Sequence, residues 1–302
     1  MARFDHLKGV FGLLPTPYQD DLEIYIPDLR AAADFCCRSG QHGIVWPVMV
    51  GEFYFLGEQE RIRGLHAVME AIDGRLPLIF GCSGVSVPQV LLFARAAQKA
   101  GADAIIAMAP ARTDAATAID MYKRMAEVYD GPLVVQNADL YAPLTGEQIA
   151  QLVADVPTIE YIKEERQPGP KHIAEVHRLV GDKVKTIFGG AAGKMLPDEF
   201  HRGANGCMPA CEIADLLAQV MELLWDGDEE AARDLHCRLL PLILRENHPF
   251  MRYILKRRGV FTSTVERAPA GKLALDADDR REISRLLRAI EGDVKSYPFG
   301  EE

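Results

Sequence analysis

The chain has 302 residues, 48% of them hydrophobic and 26% charged, with mean hydropathy near zero; a chain of this size and composition can bury a large core without disulfide staples. Thirty-four Lys and Arg against 44 Asp and Glu leave a formal charge of −10. That charge repels phosphate backbones and anionic lipid, which argues against nucleic-acid and membrane partners. An anionic small molecule remains admissible, through a local pocket.

The amino-terminal stretch MARFDHLKGVFGLL lacks the layout of a secretory signal, and no run reaches the ~18 apolar residues of a membrane span. Six cysteines (Cys36, Cys37, Cys82, Cys207, Cys211 and Cys237) stand in apolar or helical contexts. Two are adjacent, which suits neither a disulfide framework nor a zinc site. They are expected to be buried, reduced thiols of a cytosolic (cytoplasmic) protein.

In chain order, short apolar runs alternate with helix-length amphipathic segments. Strands are predicted over residues 9–14, 43–48, 76–80, 104–108, 133–136, 159–163, 185–188 and 206–208. The intervening helices are predicted over 26–39, 58–72, 86–100, 115–129, 146–153, 170–180, 195–201 and 213–224. Apolar runs without alternation fit strands buried on both faces of a parallel sheet. Glycines after Ser39, Ala100 and Val180 mark helix ends. Eight strand–helix units in about 225 residues match a (β/α)8 TIM barrel. A doubly wound sheet would need a Gly-rich turn after its first strand, where this chain has Leu14-Pro15-Thr16-Pro17. Further helices over 229–245, 249–258 and 278–291 make residues 226–302 a helical C-terminal extension packed on a barrel of residues 1–225.

Such barrels carry their sites at the carboxyl ends of the strands. Standing there are Thr16 and Tyr18, then Met49, Val50, Gly51 and Glu52, then Cys82 and Ser83, then Pro110 and Arg112. Gln136, Asn137 and Asp139 follow, then Lys163, Glu164 and Glu165, then Gly189 and Gly190, and last Pro209. Lys163 ends an apolar strand, so desolvation should favour its neutral amine, which can attack a carbonyl and form a Schiff base. The alternative for Lys163 is an ion pair with Glu164 or Glu165.

Several motifs agree in order and spacing with one known family. They are Pro15-Thr16-Pro17, Val50-Gly51-Glu52, Glu58-Gln59-Glu60-Arg61, Ala100-Gly101-Ala102-Asp103, Ile162-Lys163-Glu164 and Gly203-Ala204-Asn205-Gly206. From about Gly9 to beyond Pro269 the chain resembles the dihydrodipicolinate synthase / N-acetylneuraminate lyase family of Schiff-base barrels. The resemblance implies that Lys163 is the imine-forming residue. It also implies a small-molecule 2-oxo acid substrate, no cofactor, no metal and a homo-oligomer, dimer or tetramer.

Departures from the family pattern bear on the reaction. Pyruvate-handling members carry Gly-Thr-Thr-Gly-Glu after the second strand, and its threonines hold the substrate carboxylate. Here the residues are Val48-Met49-Val50-Gly51-Glu52. The family's relay tyrosine is replaced by Gln136, its Tyr-Tyr by Ala111-Arg112, and the arginine of its Pro-x-Arg-Thr-Gly stretch is missing from Pro143-Leu144-Thr145-Gly146. The 2-keto-3-deoxy-L-arabonate dehydratases are similar in having Gln at that position. They also share a stretch like Leu240-Pro241-Leu242-Ile243…Glu246-Asn247, although His248-Pro249-Phe250-Met251 resembles the broader family.

A glutamine amide neither gains nor loses protons near neutral pH, so it cannot take the C4 hydroxyl proton that retro-aldol cleavage releases. Dehydration needs a different arrangement. The Lys163 imine acidifies C3, Gln136 orients the C4 hydroxyl, and Glu164, Glu165 or water moves the protons. The expected reaction is therefore dehydration of a 2-keto-3-deoxy sugar acid. Alternatives are an aldolase or hydratase-aldolase, favoured if Met49, Val50 and Trp46 line the pocket, and a non-catalytic small-molecule-binding barrel.

The substrate-binding set expected beside Lys163 and Gln136 is Met49, Val50, Gly51, Asn137, Arg112, Gly189 and Gly190. The substrate carboxylate would rest on backbone amides around Val50-Gly51 or on Arg112, whose bland reading is a solvated loop charge. Glu52 reads as a structural loop carboxylate. Gly189 to Lys194 is like a phosphate loop but places Phe188 and Met195 where a Walker motif needs Gly and Ser/Thr, so it reads as a barrel turn. Cys207 and Cys211 lack metal-ligand partners, and Lys256-Arg257-Arg258 reads as a solvated helix face.

Overall fold

A computed structural model describes residues 4–140, 142–267 and 274–300. Eight parallel strands close into one barrel in chain order: β1 Gly9–Leu13, β2 Gly43–Trp46, β3 Leu78–Gly81, β4 Ala104–Ala107, β5 Leu133–Asn137, β6 Ile159–Glu164, β7 Thr186–Gly189 and β8 Gly206–Cys207. Between and after them run α1 Ile26–Arg38, α2 Glu58–Ile72, α3 Val87–Ala100, α4 Ala115–Ala126, α5 Gly146–Asp155, α6 Gly169–Val180, α7 Leu196–His201 and α8 Ala214–Trp225. This is the TIM barrel expected from the pattern.

The elements differ from expectation mainly at prolines. β3 starts at Leu78, after Pro77, and β2 stops at Trp46, before Pro47. A proline has no N–H to give to the ladder. The fourth helix ends at Ala126 rather than at Tyr129, which turns inward and donates its hydroxyl to Ala102 O at 2.7 Å. Pro269, within the region of family resemblance, lies outside the described residues.

The interior of the barrel is filled by Phe11, Leu13, Val45, Ile79, Ile106, Val134, Tyr161, Phe188 and Met208. Each such side chain contributes about 1.5–3 kcal/mol by leaving water. Tyr161 closes the amino-terminal end by accepting a hydrogen bond from Leu7 N at 3.1 Å.

After the barrel come α9 Glu229–Ile243, α10 His248–Arg257 and α11 Ala277–Ile290. α9 packs on α8, and α11 packs on α9, through a cluster that includes Leu217, Met221, Leu239, Ile283 and Leu287. His236 of α9 reaches the loop after β7, its Nε2 2.9 Å from Gly193 O. The link from α9 to α10 crosses the carboxyl end of the barrel, which places Glu246 and His248 there. Among the described residues, no helix is long and apolar enough to cross a membrane.

All six cysteines are free. Cys36, Cys82, Cys207 and Cys211 are buried, whereas Cys37 is half-buried and Cys237 is exposed. The expectation of burial fails for Cys237 because it lies on the solvent face of α9.

Candidate active site

Strand register assembles the site. Gln136, Lys163 and Phe188 are paired across β5, β6 and β7, and the next row is Asn137, Glu164 and Gly189. Side chains alternate between the two faces of a strand. With Tyr161 inside the barrel, Lys163 is also inside and Glu164 faces outward. Glu165 N donates to Asn137 O at 2.8 Å, extending the ladder one residue and turning Glu165 inward again.

The Lys163 side chain is 3% exposed, and its Nζ lies 3.1 Å from Glu165 Oε1. Glu165 Oε2 accepts from Gln136 Nε2 at 2.7 Å. Gln136 Oε1 is buried without a hydrogen-bond partner. A lysine, a carboxylate and an amide are thus joined in one chain whose last acceptor has no partner within the protein. Of the two carboxylates expected to serve Lys163, Glu165 is the one that reaches it.

Glu164 is corrected to a structural role. Its carboxyl accepts from Asn137 Nδ2 at 2.8 Å and from Arg166 N at 3.0 Å on the outer face, and burial raises its pKa. Asn137, expected at the substrate, spends its amide on protein. Nδ2 donates to Leu144 O at 3.1 Å as well as to Glu164, and Oδ1 accepts from Leu144 N at 2.8 Å. It fixes the loop between β5 and α5.

Gly189 and Gly190 also hold a role different from the one expected. A Cβ on Gly189 would lie 2.0 Å from Glu199 Oε2, and one on Gly190 would lie 2.2 Å from Glu165 Cγ. The two glycines make room for two carboxylates, one outside the barrel wall and one inside it. Glu199, on α7, is 2% exposed and its Oε2 has no partner. Burial first, then the charges of Asp198 and Glu165, push its carboxyl up to about 8.

A cavity of about 410 Å³ opens at the same end, with Met49, Val50, Lys194, Glu246, His248 and Glu266 among its lining residues. Burial pushes the Glu246 carboxyl up to about 7, offset in part by the Ala210 backbone, Lys194 and Lys163. Burial also lowers the pKa of His248 and raises that of Glu266.

The loop carrying Met49 and Val50 is clamped from behind. Thr16 Oγ1 donates to Gly51 O at 2.6 Å, and Arg252 of α10 pairs with Glu52 while donating to Thr16 O at 2.9 Å. Glu52 is the structural carboxylate expected of it. Trp46 does not line the cavity. It faces outward over Gly64 of α2 and donates to Thr16 Oγ1 at 3.1 Å. Arg112 stands exposed in the loop between β4 and α4, with φ 62, and is not part of the cavity lining.

Glu199, Glu246 and Lys194 were missed as site residues in the sequence. α7 is six residues long, too short to show periodicity. Glu246 stood out only inside a family stretch, and Lys194 was set aside with the imperfect phosphate loop.

A closed (β/α)8 barrel with a buried lysine, carboxylate and amide joined at the carboxyl ends of its strands is an enzyme scaffold with its site at the usual end. The chain belongs to the dihydrodipicolinate synthetase family, whose model matches residues 6–290. The family's relatives are named as dehydratase and synthase, and this protein is a lyase.

It is 25% identical to the L-2-keto-3-deoxyarabonate dehydratase of Azospirillum brasilense, over 94% of each chain. It is 26% identical to the 4-hydroxy-tetrahydrodipicolinate synthase of Methanopyrus kandleri, covering 95% of this chain and 98% of that one. Among solved structures, it matches the dihydrodipicolinate synthase of Rhodopseudomonas palustris with a TM-score of 0.85 and 26% identity, covering 93% of this chain and 97% of that one.

Proposed function

We propose that Lys163 forms an imine with a 2-oxo acid and that the enzyme eliminates water from a 2-keto-3-deoxy sugar acid. The observation that carries this reading is the chain from Lys163 Nζ through Glu165 to Gln136, at 3.1 and 2.7 Å. Glu165 takes a proton from the Lys163 ammonium, the freed amine attacks the C2 carbonyl, and Glu165 returns the proton to the carbinolamine hydroxyl, which leaves as water as the iminium forms. The iminium acidifies C3, and Glu165 takes the C3 proton to give the enamine. The enamine expels the C4 hydroxyl, which departs as water with the proton that Glu165 returns. Hydrolysis of the conjugated imine frees Lys163 and the dehydrated 2-oxo acid.

Gln136 has two parts in this cycle. Its Nε2 holds Glu165, and its open Oε1 accepts a hydrogen bond from the C4 hydroxyl. An amide at this point cannot serve as the base of a retro-aldol step. The relative named as a dehydratase supports the same choice.

Borohydride trapping with a panel of 2-oxo acids tests the reading, with the adduct located by mass spectrometry. We expect a mass increment on Lys163 and a dehydrated 2-oxo acid from a 2-keto-3-deoxy sugar acid. Release of pyruvate and an aldehyde, with no dehydrated product, would overturn the dehydratase. Absence of an adduct with every acid would overturn the imine. The same reading carries a homo-oligomer and a cytosolic location, checked by light scattering after gel filtration and by cell fractionation.

A further inference from the structure

The substrate proposed above is an anion, and the two threonines that hold its carboxylate in the wider family are Met49 and Val50 here. Neither side chain carries a hydrogen-bond donor. The backbone amides of that loop remain, and the cavity its side chains line contains one lysine, Lys194.

Lys194 is half-buried, and among the described residues no carboxylate lies within 4.0 Å of its ammonium. Glu246 lines the same cavity as Lys194 and feels the charges of Lys194, Lys163 and Glu165.

The turn that presents Lys194 is costly. Ala191 and Ala192 have φ values of 47 and 61, followed by Gly193 at 76. Left-handed backbone is strained at a residue with a Cβ and persists where the surroundings enforce it. Here the surroundings include the bond of His236 to Gly193 O at 2.9 Å from α9. Arg112, the other cation considered for this task, sits exposed on a different loop.

We infer that Lys194 binds the carboxylate of the 2-oxo acid, in place of the threonine hydroxyls that Met49 and Val50 lack. The inference rests on the 2-oxo-acid reading of the site. A charged hydrogen bond from an ammonium to a carboxylate is strong in a partly dry cavity.

The test compares pyruvate with pyruvamide, which has the same carbonyl but no charge. In wild type, half-maximal borohydride trapping should need less pyruvate than pyruvamide. Lys194→Met should raise the pyruvate requirement about 10- to 100-fold and leave pyruvamide far less affected. Lys194→Arg should restore much of the preference, and Arg112→Ala should keep it.

The same comparison is run by ligand-induced Tm shift in Lys163→Met, which cannot form an imine. Loss of the pyruvate preference on adding Lys194→Met supports the inference even where trapping fails, and in that case only the imine reading falls. A pyruvate preference that survives Lys194→Met, in either background, overturns it.

Discussion

Among the buried pairs of opposite charge at the carboxyl end of the barrel, one lies on the β5–β7 side and one where β2 meets α10. Arg252 and Glu52 are 0% and 1% exposed, and Arg252 also bonds Thr16 O. Lys163 and Glu165 are 3% and 20% exposed, and their network ends on the unpartnered Gln136 Oε1. The first pair sits behind the loop that carries Met49 and Val50 and joins it to the C-terminal extension. The second sits at the inner wall and ends on an acceptor that no protein group satisfies. What separates scaffold from chemistry is therefore where the network stops, since the ingredients are the same.

Five substitutions press on that contrast. Lys163→Met should lower turnover at least about 10³-fold, because the covalent step is lost, while thermal unfolding still shows a folded enzyme. If Tm fell sharply instead, the Lys163 pair would be structural too.

Arg252→Met should cost about 3–5 kcal/mol of stability, since it strands a buried carboxylate. Urea unfolding would read this, and the enzyme that remains folded should trap a 2-oxo acid as wild type does. Replacing Glu52 by Gln in the same chain should return part of the loss, because the unpaired charge is then gone.

Glu165→Gln should lower kcat/KM about 10²-fold through the lost proton transfer. Imine trapping with pyruvate should persist in this variant, which separates proton movement from covalent capture.

The smallest effect is a pH dependence. Glu199 keeps its proton up to about pH 8 when folded, whereas an unfolded glutamate loses it near pH 4.3. Between those values the native chain holds a proton that the unfolded chain lacks, so stability falls as pH rises through this window. Glu199→Gln removes that slope. Its Tm should gain on wild type by about 5 °C between pH 5 and pH 9, and parallel Tm curves would mean that Glu199 is ionised in the fold.

The architecture was readable because each strand is a short apolar run between Gly, Pro or polar residues, and Lys163 stood out as a charge ending such a run. Side-chain direction was harder. Barrel strands are apolar on both faces, so they carry no alternation to tell inside from outside. Whether Trp46 lines the pocket is therefore open in the sequence, and in the fold it packs on Gly64 outside. Within β6 the charged residues do break the symmetry, and alternation from Lys163 puts Glu164 outside and Glu165 inside. The carboxylates and cations that converge from far along the chain, Glu199, Lys194, Glu246 and Arg252, have no local signal. Only closure of the barrel and the path of the α9–α10 link bring them together.

The adjacent Gly189 and Gly190 have a consequence for how this sequence can change. A methyl group at Gly189 collides with Glu199, and one at Gly190 collides with Glu165. At Gly189 the obstacle is the far end of the Glu199 side chain, which can swing aside, whereas at Gly190 it includes Glu165 Cγ, nearer the backbone. Glu199→Ala removes the obstacle to Gly189→Ala altogether. Gly190 has no such route while Glu165 keeps the part proposed for it. Two neighbours that look interchangeable thus stand under different historical constraints, one reversible by a single earlier step and the other tied to the proton transfer proposed for Glu165.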